Sequence, residues 1–480
     1  MIISTQGKSN SSRSFNLRSH SLFIPLRRTL EKVAFYGLLL TVIAAGIPYG
    51  VVDSSLNLLF VCLIYLFSAF RVVESLLGGS FALGDRILFG PLIGLLSLAV
   101  IQILPLSILP SLLSGSQNTS SYISLDYYET GNFILLFGSL LLLADTLRHC
   151  ARTRKRLIAI LVTVIVVGVG SALFGVIRQM ALVFLNSSLL VYDISSAQYA
   201  QFVNRNHFAL LIEMTLGILL GLILKASPSS AWKVSCWIII ALCWFVIISA
   251  NSRGGIMSAA GVILFAALIH FVTNTYDSKS HMGERADSSR RSLKLALAIV
   301  PLMALLLGAL IVSVSFVGGD TVVSRFEKTD KEFAPIDNGG SSRIEIWQST
   351  ISLIRTFPVS GVGFGAYGKA ITAFDASSNG EQPIEEAHNE YLEIVASGGI
   401  LAAILTLLFL GVLLNRTIQQ LKCRKGFERA ICLGALLGIS GVLLHSVVDF
   451  GLHVLINALV FVLLIVLATA RLENNGDVAG

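Results

Sequence analysis

The sequence predicts an all-α integral membrane protein, with about twelve transmembrane helices and a long outer loop between spans nine and ten. Three observations carry that reading. Of the 480 residues, 54% are hydrophobic and 13% are charged, whereas an ordinary soluble domain carries about 25% charged residues. A single soluble core stops growing near roughly 250–300 residues, so no soluble arrangement buries this much apolar sequence. A cytosolic enzyme, a secreted disulfide scaffold, a coiled coil and a disordered chain are excluded. The apolar runs are continuous, which is the pattern of helices and not of barrel strands. Lys and Arg gather in alternate loops.

A crossing helix needs about 20 mostly apolar residues. Such stretches lie near 33–52, 56–77, 87–112, 130–146, 157–180, 207–224, 234–250, 255–273 and 295–315, then near 390–414, 430–448 and 453–471. Residues 1–32 form a basic tail with Lys8, Arg13, Arg18, Arg27, Arg28 and Lys32. With that tail ahead of it and no clear small-residue cleavage site, the first span reads as a retained helix and not a signal peptide. Arg71 and Arg86 flank the second loop, and Arg148, Arg152, Arg154, Lys155 and Arg156 occupy the fourth. Lys225 and Lys233 mark the sixth, and Lys279, Arg285, Arg290, Arg291 and Lys294 the eighth. The tenth holds Arg416, Lys422, Arg424, Lys425 and Arg429. Even-numbered loops and both termini are therefore basic, which places both termini, including the short tail 472–480, in the cytoplasm.

Two membrane blocks, 33–315 and 390–471, then flank an outer loop, 316–389. Loops longer than about 12–15 residues are uncommon without a function, so this one is the first candidate for the working part. The net charge of +7 reflects orientation, since the cytoplasmic loops hold the excess and the outer side is net acidic. No nucleic-acid partner is implied, and an anion bound outside must rely on a few aimed arginines. Cys150 and Cys423 fall in cytoplasmic loops and Cys62, Cys236, Cys243 and Cys432 in spans, so no outer disulfide is expected and no zinc spacing exists.

Four polar features share the outer side. Asn204-Arg205-Asn206-His207 stands where the loop after span five meets span six; it reads either as the lining of a site or as interfacial anchoring and helix capping. Asn251-Ser252-Arg253-Gly254-Gly255 is the tight turn between spans seven and eight. An Arg beside a helix N-terminus makes an anion site, and the glycines permit close approach; the alternative is an Arg that snorkels to headgroup phosphates.

In the long loop, Ser341-Ser342-Arg343-Ile344-Glu345-Ile346-Trp347 opens a segment with apolar residues at 344, 347, 351 and 354. That spacing predicts an amphipathic helix over 343–356, capped by Ser and stopped by Pro358, lying on the outer membrane face or over the bundle. Arg343 is badly placed for its own helix dipole, which a partner anion or an ion pair with Glu345 explains. Gly361-Val362-Gly363-Phe364-Gly365 lacks the βαβ context of a dinucleotide fingerprint and lets the chain pass close to another element.

Glu385-Glu386-Ala387-His388-Asn389-Glu390-Tyr391 leads into span ten. His388 among carboxylates suits a proton-accepting role, or a cap. His445, Asp449 and His453, at i, i+4 and i+8, share one face if the helix continues, and that spacing alone assigns no metal. Arg205, His207, Arg253, Arg343 and His388 thus fall on one surface. Three arginines and two histidines suit a phosphate-bearing anion and a reaction that moves a proton.

These segments resemble the O-antigen ligase and O-antigen polymerase superfamily of bacterial integral-membrane glycosyltransferases. The matching pieces, in the family's order over about 200–453, are Asn204-Arg205-Asn206-His207-Phe208-Ala209, Ser252-Arg253-Gly254-Gly255 and Arg343 with Trp347. They continue with Pro358, Gly361, Gly363 and Gly365, His388-Asn389 followed by Gly398-Gly399, and His445 with Asp449. Ala402 stands where the family often has Gly, Thr or Tyr, a departure from the ligase branch.

The resemblance implies a GT-C-like fold in the bacterial cytoplasmic (inner) membrane. It also implies metal-independent, inverting transfer of a glycan from undecaprenyl diphosphate to an acceptor hydroxyl on the periplasmic face, with no cofactor. The acceptor is lipid A core in the ligase branch and a growing lipid-linked glycan in the polymerase branch. Arg253 and Arg343 match the family's essential arginines and would hold the diphosphate, with Arg205, His207, Asn204 and Asn389 as further substrate contacts. His388 matches its essential histidine and would orient or deprotonate the acceptor.

The rival class is a twelve-span secondary transporter, suggested by Gly84-Asp85-Arg86 between spans two and three. The rest of the major-facilitator loop motif is absent, since Ile87-Leu88-Phe89 follow, and the two halves show no repeat. A flippase for lipid-linked sugars would share the ligand but not the chemistry.

Overall fold

The computed structural model describes residues 24–48, 54–79, 84–105, 122–184, 199–226, 230–280, 343–374 and 384–472. They form thirteen α-helices: α1 (Ile24–Ala45), α2 (Ser54–Leu77), α3 (Arg86–Gln102), α4 (Tyr127–Cys150), α5 (Arg154–Phe184), α6 (Arg205–Lys225), α7 (Ser230–Ser249), α8 (Arg253–Ser280), α9 (Arg343–Thr356), α10 (Tyr367–Ile371), α11 (Glu390–Cys423), α12 (Gly426–His445) and α13 (Leu455–Thr469). Among the described residues, β-pairing is confined to the isolated bridge between Tyr199 and Phe202. The helices α2, α4 to α8, α11 and α12 are long and apolar enough to cross a membrane, and α3 and α13 are shorter apolar helices. The protein is thus an all-α integral membrane protein. The expected ninth span, 295–315, and the Ser341-Ser342 cap lie outside the described residues.

Some helix edges differ from the apolar runs for local reasons. Helix α1 is already formed at Ile24, ahead of the expected 33, and ion pairs Arg27–Glu74 (2.8 Å) and Arg156–Glu31 tie that first stretch to its neighbours. Helix α11 runs on past 414 to Cys423, and Arg416 on that extension meets Asp85 at 3.0 Å. Asp85 also takes Arg148 at 3.0 Å and accepts from Leu88 N at 3.2 Å to cap α3. The Gly84-Asp85-Arg86 motif is therefore a clamp among α3, α4 and α11.

Helix α6 is the central element, with every residue from His207 to Leu222 buried. It packs against α12 through glycines: a Cβ on Gly217 would lie 2.2 Å from Gly438 N, and one on Gly221 would lie 2.1 Å from Gly434 N. Lipid tails are as apolar as leucine, so close backbone packing of this kind is what associates helices in a membrane. Helix α13, buried along nearly its whole length, packs beside that pair.

Helix α11 breaks at Gly399, whose φ of 66° and ψ of −164° are not helical. The broken ladder is bonded to the glycine run. Val362 N donates to Ala396 O and Gly363 N to Ser397 O, both at 3.0 Å, and Ile400 N donates to Pro358 O at 2.9 Å. Gln102, at the end of α3, donates from Nε2 to Ser360 O (2.7 Å) and Ser397 O (2.9 Å), and its Oε1 accepts from Phe364 N (3.2 Å). Gly361, at φ 63°, comes so close that a Cβ there would lie 2.3 Å from the Ser397 backbone. The close pass expected of these glycines is a seam between the segment that follows α9 and the membrane bundle.

Helix α9 spans the expected 343–356 but turns a different face inward. Its buried residues are Ile346, Thr350 and Leu353, while Ile344 and Ile351 of the expected apolar stripe are 39% and 40% exposed. Two polar anchors set the rotation: Trp347 Nε1 donates to Ala387 O at 3.0 Å, and Thr350 Oγ1 bonds Tyr367 Oη at 2.6 Å. Leu353 then joins Val362, Tyr367, Ala387 and Ala396 in a small core of the loop's own.

Gly217→Ala is expected to lower the thermal unfolding midpoint in detergent, at a cost of about 1–3 kcal/mol from overpacking. Gly411→Ala, where a Cβ meets nothing within 4 Å, is expected to leave the midpoint unchanged or raise it slightly.

Candidate functional site

Three helices begin at one end of the bundle, and each begins with an arginine: Arg205 on α6, Arg253 on α8 and Arg343 on α9. With Asn206, Asn251, Gly254 and Val448 these arginines line one pocket. A helix N-terminus carries unpaired N–H groups and a partial positive charge, so three such ends and three guanidinium groups make a concentrated anion site.

Local sequence holds the ends in place. Asn204 Oδ1 accepts from Asn206 N at 2.8 Å and caps α6. Ser252 Oγ accepts from Gly255 N at 3.1 Å in the first turn of α8 and donates to Asn206 Oδ1 at 2.7 Å, which joins the two helix starts. A Cβ on Gly255 would lie 2.5 Å from Ala209 Cβ, so only glycine lets α8 start this close to α6. Asn251 makes the turn at φ 55°, a left-handed conformation that Asn tolerates. Arg343 is delivered by the Trp347 anchor, which fastens α9 to the residue before His388.

His388 adjoins this pocket. Val448 is in the lining, and the next residue, Asp449, is fully buried with Oδ1 at 3.7 Å from both His388 Nδ1 and His207 Nε2. The Asp449 carboxylate also accepts from Phe450 N at 2.9 Å. Burial pushes the Asp449 carboxyl up, but the imidazoles of His207 and His388 close beside it and the charge of His445 outweigh it and hold the group well below the usual carboxylate range. Phe450 stands edge-on to both histidines, with ring centroids 4.8 Å from His207 and 5.0 Å from His388. His388 has φ 49°, a conformation that costs a non-glycine residue of order 1–3 kcal/mol and persists where surrounding structure enforces it.

The expected residues therefore divide by position. Arg205, Arg253 and Arg343 share the pocket, and His388 and His207 flank Asp449 beside it. Asn204 and Asn389 are helix caps, the latter accepting from Tyr391 N (3.0 Å) and Leu392 N (3.1 Å). His445, Asp449 and His453 do not share a helical face, because α12 ends at His445 and the chain turns through a 3₁₀ segment, Gly451–His453. His445 instead meets Glu213 at 2.8 Å. His453 sits among Glu386 (3.2 Å), Glu393 (3.5 Å) and Glu390 (3.6 Å). Burial lowers the His453 pKa, but the three carboxylates raise it well above the usual histidine value. Among the described residues, Glu386, Glu393 and His453 could offer ligand atoms to a metal ion, all within 4.8 Å of one another.

Asn206 and Asn251 belong to the two motifs read as candidate site lining, whereas Val448 and Glu213 were missed as partners. Only Glu213 left a signal, as a lone carboxylate in an apolar span.

Residues 238–407 match the O-antigen ligase family model. The matched segment carries Arg253, Arg343 and His388, and it supports the resemblance to the O-antigen ligase and polymerase superfamily. Arg205 and His207 precede the segment and Asp449 follows it; the fold brings them to Arg253, Arg343 and His388 of the matched segment. No curated protein matches the chain.

A histidine whose folded pKa is raised contributes stability that is complete below its unfolded value, about 6.5, and is lost as pH rises through the folded value. His453→Gln is therefore expected to lower the unfolding midpoint most between about pH 5.5 and 6.5. The gap to the native chain narrows in alkaline buffer, and a gap independent of pH would show that packing alone holds His453.

Proposed function

We propose that the protein transfers a glycan from undecaprenyl diphosphate to an acceptor hydroxyl. The observation that carries this reading is the convergence of Arg205, Arg253 and Arg343, each at a helix start, on one pocket beside His388. The acceptor oxygen attacks the anomeric carbon, and the bond from that carbon to the diphosphate oxygen breaks. Negative charge grows on the leaving oxygen, and fixed guanidinium groups stabilise it without reorganising. Arginine suits this task because its planar fork meets phosphate in a bidentate way.

His388 takes the acceptor proton, and Asp449 steadies the imidazolium that results. A base of this kind contributes about 10²–10⁴-fold. One displacement inverts the anomeric centre and leaves the lipid diphosphate in the pocket. The arginines supply the charge stabilisation that a metal would otherwise give, so the reaction is metal-independent. In the bacterial inner membrane the pocket faces the periplasm, both termini are cytoplasmic, and lipid A core is the acceptor. A growing glycan is the acceptor if the protein is a polymerase.

Arg253→Ala, Arg343→Ala and His388→Ala are each expected to lower transfer by about 10²–10⁴-fold, measured with purified, stably folded variants and a lipid-diphosphate glycan donor. Normal surface glycan in cells carrying only such a variant would overturn the reading. In a deletion strain, loss of lipid-A-linked glycan with lipid-linked polymer retained marks a ligase, and single-repeat glycan marks a polymerase. Chelation with EDTA is expected to leave the rate unchanged.

A further inference from the structure

Beneath the arginine pocket lies a polar group that the mechanism above does not use. Glu213 on α6 is fully buried and His445 at the end of α12 is 1% exposed. His445 Nδ1 lies 2.8 Å from Glu213 Oε1, and Ser258 on α8 donates its hydroxyl to Glu213 Oε2. A carboxylate inside a membrane span is costly and marks function by default. A glutamate held only to cancel a histidine would be a pair that apolar residues could replace without loss.

The second ring nitrogen gives the pair a direction. His445 Nε2 is buried with no hydrogen-bond partner among the described residues. It lies under Gly254, where a Cβ would sit 3.6 Å from Nε2 and 3.1 Å from Val448 Cγ2. Gly254 and Val448 both line the pocket, and Gly254 is the lining residue without a side chain. With Nδ1 bonded to the carboxylate, Nε2 is the ring's remaining nitrogen, and it lies on the side of the pocket-lining Gly254.

We propose that His445 donates Nε2–H to a phosphate oxygen of the bound diphosphate from the membrane side, a fourth cationic donor opposite the three arginines. Glu213, with Ser258 behind it, is the positioning residue that fixes the ring and its charge. The inference rests on the reading of the pocket as a diphosphate site.

The test is binding of geranylgeranyl diphosphate to the full chain in nanodiscs, with geranylgeraniol as the uncharged control. His445→Gln is expected to weaken diphosphate binding about tenfold, the worth of a charge-assisted hydrogen bond, with alcohol binding unchanged. Glu213→Gln is expected to weaken it in the same direction. Gly254→Ala places a methyl between Nε2 and the pocket while sparing the pair and the arginines, and it too is expected to lose affinity. If His445→Gln binds the diphosphate like the native chain while Arg253→Ala does not, this proposal falls and the diphosphate site stands. If the native chain does not bind the diphosphate, both fall. Should His445→Gln fail to fold, Gly254→Ala decides, and native affinity there overturns the proposal.

Discussion

The backbone contact between α6 and α12 is the constraint from which the site follows. Gly217 and Gly221 meet Gly438 and Gly434 so closely that no side chain fits between the helices. At that separation Glu213 and His445, one on each helix, are within 2.8 Å, a distance set by the helices and not by flexible side chains. The end of α12 is fixed with it. The turn that follows carries Val448 into the arginine pocket and buries Asp449 between His207, from the start of α6, and His388. A single run of small residues thus positions both the anion site and the histidine beside it.

A second seam fixes the segment around α9 and the glycine run to this frame. Helix α11 loses its regular ladder at Gly399, and the freed carbonyls of Ala396 and Ser397 accept from Val362, Gly363 and Gln102. Backbone groups buried in a membrane protein must be satisfied, so the break and the loop that repairs it depend on each other. Trp347 extends the seam by bonding Ala387, which ties the helix that begins with Arg343 to the residue before His388. Two groups of the proposed mechanism, a phosphate ligand and a base, are therefore carried on one clamped unit.

Much of this was legible in the sequence, and the exceptions have physical causes. The apolar runs announced the spans because hydropathy reports transfer into lipid, which is what a span does. Arg205, Arg253 and Arg343 were legible as neighbours because each falls in a polar motif at the edge of an apolar run, where a helix starts. The face of α9 was not. Its isoleucine stripe at 344 and 351 is exposed, since two polar anchors, Trp347 and Thr350, set the helix rotation and periodicity weighs only apolar residues. The i, i+4, i+8 set of His445, Asp449 and His453 failed for a related reason. Periodicity assumes a continuous helix, and α12 stops at His445, sending the three side chains to three different partners.

On the proposed reading, one small region must both hold an anion and accept a proton, and the charges around His388 bear on both tasks. Arginines alone would depress the basicity of any histidine beside them, since like charge disfavours the protonated form. Asp449 follows Val448 of the pocket lining and faces His388 and His207, so a buried negative charge adjoins both histidines. Glu386, Glu390 and Glu393 gather around His453, whose positive charge offsets part of theirs. On that reading, the arginines hold the diphosphate while Asp449 balances a proton arriving on His388. A ligand that arrives through the membrane on its own lipid tail gains its local concentration by partitioning, with no need of long-range attraction.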